Sequence, residues 1–198
     1  MSIILPEERP KIKIDDLISR LKAEVPKLDL KNIPILVVGI RGYYKNMMGV
    51  YNANDRSIYD DAIVLITPYN YKTFNGNTDP SAFKPGFGTG INKGMASLVK
   101  GYWNVYKLGL HKGKYLALCQ QAGEVTVSRD GLKESYLDKG YFGINIHKGG
   151  LTSTSSEGCQ TIPPGQWGDF INTLDSDAKK FYGINWRKKI YPYILLEE

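Results

Sequence analysis

One stretch of this chain gathers the residue types that do covalent chemistry: Gly143-Ile144-Asn145-Ile146-His147-Lys148-Gly149-Gly150-Leu151-Thr152-Ser153-Thr154-Ser155-Ser156-Glu157-Gly158-Cys159-Gln160-Thr161. It holds one of the two histidines and one of the two cysteines, twelve positions apart across a Gly/Ser/Thr loop. A cysteine attacks as its thiolate, and a histidine supplies both a proton acceptor and, once charged, a counter-ion. Gly158, immediately before Cys159, lets a substrate approach the backbone and lets local N–H groups face a developing oxyanion. The pattern predicts a Cys/His hydrolase or transferase. The plainer alternative is a buried cysteine in a small-residue turn beside an unrelated histidine.

Such chemistry needs elements to aim it. Strand alternation over residues 141–147 puts Ile144 and Ile146 on one face and Asn145 and His147 on the other, with the imidazole at the strand's end beside the loop that folds the thiol back. Further short runs rich in β-branched and aromatic residues, bounded by Gly, Asn or Pro, predict strands over 33–39, 61–67, 101–108, 114–120, 124–129 and 190–196. Ile14, Leu17, Ile18, Leu21 and Val25 recur at helical spacing behind Asp15 and Asp16, predicting an amphipathic helix to about Pro26. Trp167, Phe170, Ile171 and Leu174 mark a second helix, opened by Pro163-Pro164-Gly165 and closed near Gly183. Residues 70–92 are the most loop-like stretch and are expected to be functional or mobile. The whole predicts a β-rich α+β fold, a sandwich or partly closed barrel with peripheral helices. Residues 1–32 form an arm and helix packed on a single β-rich catalytic domain, 33–198.

Ile146-His147-Lys148-Gly149 followed by Ser156-Glu157-Gly158-Cys159 resembles the His-Gly and Ser-x-Gly-Cys signature of the L,D-transpeptidases, the YkuD-like family that works on peptidoglycan stem peptides. The resemblance spans roughly 109–170, with Gly109-Leu110-His111 and Arg129-Asp130 similar to landmarks of a divergent branch of phage and bacterial wall-active, endolysin-like proteins. Gln160 and Thr161 follow Cys159 where the family usually has an aliphatic residue and then arginine, and Lys148 stands where it often has glycine. The resemblance implies an L,D-transpeptidase-like sandwich or barrel, with Cys159 as nucleophile and His147 as base and then acid. It implies Ser156 as a loop-ordering hydroxyl, and backbone N–H groups around Gly158 and Cys159 as oxyanion donors. No cofactor or metal is implied.

Other residues offer weaker chemistry. His111 could orient substrate, pair with Cys159 in place of His147, or ligate a metal, although no carboxylate sits at a diagnostic spacing. Arg129 reads first as part of a hairpin turn, Arg129-Asp130-Gly131, and second as a carboxylate binder. Arg41 could also grip a carboxylate, and Asp79, in a turn-like Asn77-Thr78-Asp79-Pro80, could line a substrate wall. Cys119 reads as a buried, inert thiol. Gly86-Phe87-Gly88-Thr89-Gly90 superficially suggests a phosphate loop but lacks the Gly-Lys-Ser/Thr ending.

The 198 residues fit one domain with a modest extension, and 42% hydrophobic with 23% charged residues excludes disorder and collagen. No apolar run approaches the ~20 residues that cross a bilayer, and no secretory signal is visible at Met1-Ser2-Ile3-Ile4-Leu5-Pro6. We therefore expect a monomer made in the cytoplasm, without stable membrane insertion, that reaches bacterial peptidoglycan after release. The net charge of +6 favours a polyanionic partner without naming one. The leading expectation is a peptidoglycan-cleaving cysteine peptidase that acts on stem-peptide cross-links through a thioester. Exchange of the same bonds and a noncatalytic wall-binding module are the alternatives, and nucleic-acid binding rests on charge and tyrosines alone.

Overall fold

The computed structural model describes residues 4–87 and 94–198. Met1-Ser2-Ile3 and Gly88-Thr89-Gly90 of the phosphate-loop-like motif lie outside the described residues, as does the end of the long predicted loop.

The protein is a β-rich α+β structure whose large mixed sheet is nearly closed. Along the chain come α1 (Ile14–Glu24), β1 (Leu36–Arg41), β2 (Asp61–Ile66), β3 (Tyr71–Gly76), β4 (Ala96–Leu98), β5 (Gly101–His111), β6 (Tyr115–Gln120), β7 (Val125–Arg129), β8 (Tyr136–Gly140), β9 (Ile146–Lys148), β10 (Gln160–Ile162), α2 (Pro164–Tyr182) and β11 (Tyr191–Glu197). The large sheet has the order β10-β9-β6-β5-β11-β1-β2-β3, and an isolated antiparallel bridge between Asn77 and Thr161 brings its two ends together. A second sheet has the order β4-β7-β8.

The continuous apolar runs of β1 and β2 follow from coverage on both faces. Val37, Ile63 and Leu65 enter one core with Trp167, Phe170, Ile171 and Leu174 of α2. Leu36, Val38, Ile40, Ala62 and Val64 enter a second core, into which α1 sinks Leu17 and Leu21. The arm before α1 is strapped across β3: Tyr71 and Thr73 donate hydroxyl hydrogen bonds to Ile12 O and Pro10 O, and Asn75 Nδ2 donates to Glu8 O.

Three expectations need correction. Residues 71–76, expected as loop, form β3, paired antiparallel to β2 along its full length, and Asn75, Asn77 and Thr78 are fully buried. Asn75 finds a distant partner: its N–H and Oδ1 both meet the Gln166 amide, at 2.9 and 2.6 Å. The strand expected over 141–147 shrinks to Ile146–Lys148 because Gly143 takes a φ of +70°, which breaks the extended run. Arg129-Asp130-Gly131 does open the connection of the β7–β8 hairpin, but that connection extends over residues 130–135. The β7–β8 register closes at Arg129 opposite Tyr136, and buried Asp130 instead takes both guanidinium nitrogens of Arg56, at 2.6 and 2.9 Å.

Candidate active site

Two local structures bring the chemistry together. The first is the parallel pair β9 and β10, with Thr161 beside His147. By alternation, Cys159, two positions before Thr161, shares a face with Asn145 and His147. The second is the β5–β6 hairpin, whose end pairs His111 with Tyr115. Lys112 and Gly113 both have positive φ, +49° and +71°, and Lys114 N–H donates to His111 O at 2.9 Å, the geometry of a type I′ turn. The two imidazoles thereby stack with ring centroids 4.0 Å apart and planes 22° apart.

The hydrogen bonds assign a tautomer to each ring. Gln120 N–H can only donate, so the atom it meets on Asn145 at 2.9 Å is Oδ1, and Nδ2 points to His111 Nδ1 at 3.1 Å. His111 Nδ1 is therefore an acceptor and its proton sits on Nε2. His147 Nδ1 lies 2.8 Å from Lys148 O, an acceptor only, so Nδ1 carries the proton and the Nε2 lone pair is free. Tyr115 Oη lies 3.4 Å from both His147 Nδ1 and Lys148 O. Both rings are neutral: burial, with a smaller push from Lys112, lowers His111, and burial lowers His147 to about 4 against the raising effect of Lys148 O.

Cys159 is a free thiol. Its Sγ donates to Gly143 O at 3.3 Å and accepts from Asn145 N–H at 3.4 Å. Burial pushes the thiol up to about 11, with Asn145 N–H and Lys112 pulling the other way. The resting pair is a neutral thiol and a neutral imidazole, and among the described residues no hydrogen bond joins Sγ to either ring.

The loop before the thiol is held by Ser156. Its Oγ donates to Cys159 O at 2.7 Å and accepts from Gly158 N–H at 3.0 Å. Ser156 also exchanges backbone and hydroxyl hydrogen bonds with Ser81, at 2.7 and 2.8 Å. Ser156, expected to order this loop, bonds both Gly158 and Cys159 within it. Gly158 N–H, expected as an oxyanion donor, is spent on Ser156, which leaves the N–H of Cys159 as the backbone donor of that pair.

His111, Asn145, His147, Ser156, Gly158 and Cys159 all line one cleft of about 710 Å³, together with Lys112, Arg129, Phe142 and Glu157. Arg129 reaches it while paired to Asp138 at 2.6 Å and lying 4.6 Å over the Phe142 ring. Arg41 and Asp79 do not line it. They pair with each other at 3.1 Å, and Arg41 also binds Glu197, Thr78 O and Leu98 O. Cys119 is buried, free, and raised by that burial. Among the described residues, no group of three or more His, Cys, Asp or Glu side chains is arranged to hold a metal ion.

Lys112 and Tyr115 were not expected at the site. The signal for Lys112 was the Lys-Gly pair closing two aromatic strands, a hairpin tip beside His111; Tyr115 follows from the same register. No protein-family model matches the chain, and no curated protein matches it either.

Proposed function

We propose that the protein is a cysteine peptidase that cleaves stem-peptide cross-links of bacterial peptidoglycan. The observation that carries the chemistry is the shared cleft: a thiol, an imidazole whose free Nε2 can take its proton, and a second imidazole locked by Asn145 at stacking distance. The choice of substrate rests on the resemblance of Ile146-His147-Lys148-Gly149 and Ser156-Glu157-Gly158-Cys159 to the L,D-transpeptidase signature.

In this reading the Cys159 proton passes to His147 Nε2 as Sγ attacks a peptide carbonyl carbon. The oxyanion faces Cys159 N–H and the His111 Nε2–H, which the Asn145 lock keeps as a donor. Collapse breaks the C–N bond, the amine leaves with the proton held by His147, and a thioester remains. Water, losing its proton to the same Nε2, then releases the acid and restores the thiol. An amine in place of water gives exchange instead of hydrolysis. Lys112 gives the cleft a cation suited to a carboxylate of a stem peptide, while Arg129 at its wall is already paired with Asp138. The substrate lies in the cell envelope, so the reading requires the protein to be released there.

Purified protein and its Cys159→Ala variant are incubated with peptidoglycan and the released muropeptides are identified by mass. Cleavage by the wild type and none by the variant is the expected result, and the new termini name the bond. Equal products from both, or inertness of both across wall types, refutes the peptidase; retained wall binding by both would leave a noncatalytic module.

A further inference from the structure

Away from the cleft, the last turn of α2 and the 3₁₀ segment Gly183–Lys188 carry Lys179, Lys180, Arg187, Lys188 and Lys189, all exposed. None is paired with a carboxylate among the described residues, although most other arginines and several lysines of the protein are. Aromatic rings lie against four of the five cations of this band, residues 179–189. Lys179 and Arg187 lie 5.5 and 5.2 Å over the Trp186 ring, Lys189 lies 5.2 Å over Tyr182, and Lys180 lies 3.8 Å over Tyr69. The nearby acids are engaged elsewhere: Asp175 accepts from Trp186 Nε1, and Asp177 from Thr67 and Asn70. Within the same band large apolar side chains face outward, Ile184 at 90% exposure and Phe181 at 47%.

We propose that this band is a peripheral docking surface for an anionic lipid bilayer. Cations and rings together would suit a nucleic acid as well, whose bases stack on aromatic side chains, but an aliphatic tip as exposed as Ile184 is best buried in the acyl boundary of a bilayer. A bilayer interface accepts all three classes at once: phosphates take the ammonium and guanidinium heads, the acyl boundary takes the aliphatic tips, and the headgroup layer takes the aromatic rings. No described helix is long and apolar enough to cross a membrane, so the contact is adsorption on the surface. The proposal stands apart from the chemistry of Cys159.

The test is co-sedimentation of the full chain with vesicles of equal parts phosphatidylcholine and phosphatidylglycerol, and with phosphatidylcholine alone. Binding to the anionic vesicles only is expected, falling about a hundredfold when Arg187, Lys188 and Lys189 are all changed to Glu, and about tenfold for Ile184→Ser. In Ile184→Trp, brominated acyl chains should quench the new indole. These positions are exposed, and unchanged thermal unfolding confirms that each variant is folded. No binding to anionic vesicles overturns the proposal, as does binding that is indifferent to the charge reversal. If binding is indifferent to Ile184→Ser and fully competed by double-stranded DNA or polyphosphate, the surface is a polyanion site and not a membrane one.

Discussion

Cys159 and His147 are held neutral by burial, and this sets how they titrate. The thiol, pushed to about 11, stays protonated through neutral pH, while His147, lowered to about 4, stays a free base. Iodoacetamide should therefore modify Cys159 slowly at pH 7, with a rate that climbs steadily into alkaline solution. A fast reaction on a plateau below pH 7 would show a thiolate–imidazolium pair and contradict the assignment. The acid limb of kcat/KM should lie near pH 4 to 5 and not near 6.5. Stability follows the same groups. As pH falls below the ordinary imidazole value of 6.5, the unfolded chain takes up a proton that folded His147 still refuses. The contribution of His147 is then lost between about 6.5 and 4, while buried Asp60 and Asp61, whose carboxyls burial raises, act in the opposite sense over the same window. Urea titrations of wild type and His147→Gln should therefore diverge as pH falls through that window, the variant gaining relative to wild type.

At the level of elements, the turn before the nucleophile depends on one glycine. Gly158 has a φ of +152°, and a Cβ there would stand 2.4 Å from Ala96 O and 2.9 Å from Ile144 Cδ1. Gly158→Ala should cost about 2–4 kcal/mol in urea unfolding and pull Cys159 out of register with β9. A change under about 0.5 kcal/mol would mean that the loop yields freely. The helices and most strands were legible because their partners are met through a regular stripe of apolar residues, as in Leu17 and Leu21 or Trp167, Phe170 and Leu174. β3 was not, because its Thr73 and Asn75 are satisfied by Pro10, Glu8 and Gln166, partners far away in sequence. For the same reason, residue type and spacing could suggest that His147 and Cys159 lie in one cleft, whereas the stack with His111 depends on a strand, β6, lying between β5 and β9.

For the whole molecule, Arg41 ties separate parts together. It joins the ends of β1 and β11 through Glu197, the segment after β3 through Asp79 and Thr78, and the second sheet through Leu98 O. Its sequence position beside a strand end suggested a ligand grip, but its partners make it a brace. Arg41→Met leaves Asp79 buried without its cation, so unfolding in urea should come about 3–5 kcal/mol more easily. Cleavage per folded molecule should persist, since the guanidinium does not line the cleft; abolished turnover in well-folded Arg41→Met would return Arg41 to the substrate. The order of strands carries a different consequence. β11 lies between β5 and β1, parallel to β1 and antiparallel to β5. It is also the last of the strands to be synthesised. Until it is, β1-β2-β3 and β5-β6-β9-β10 are two half-sheets, each with a bare edge toward the gap. A ribosome stalled before Tyr191 would thus hold a chain with every cleft residue already made, but on two half-sheets that no strand yet joins between β5 and β1.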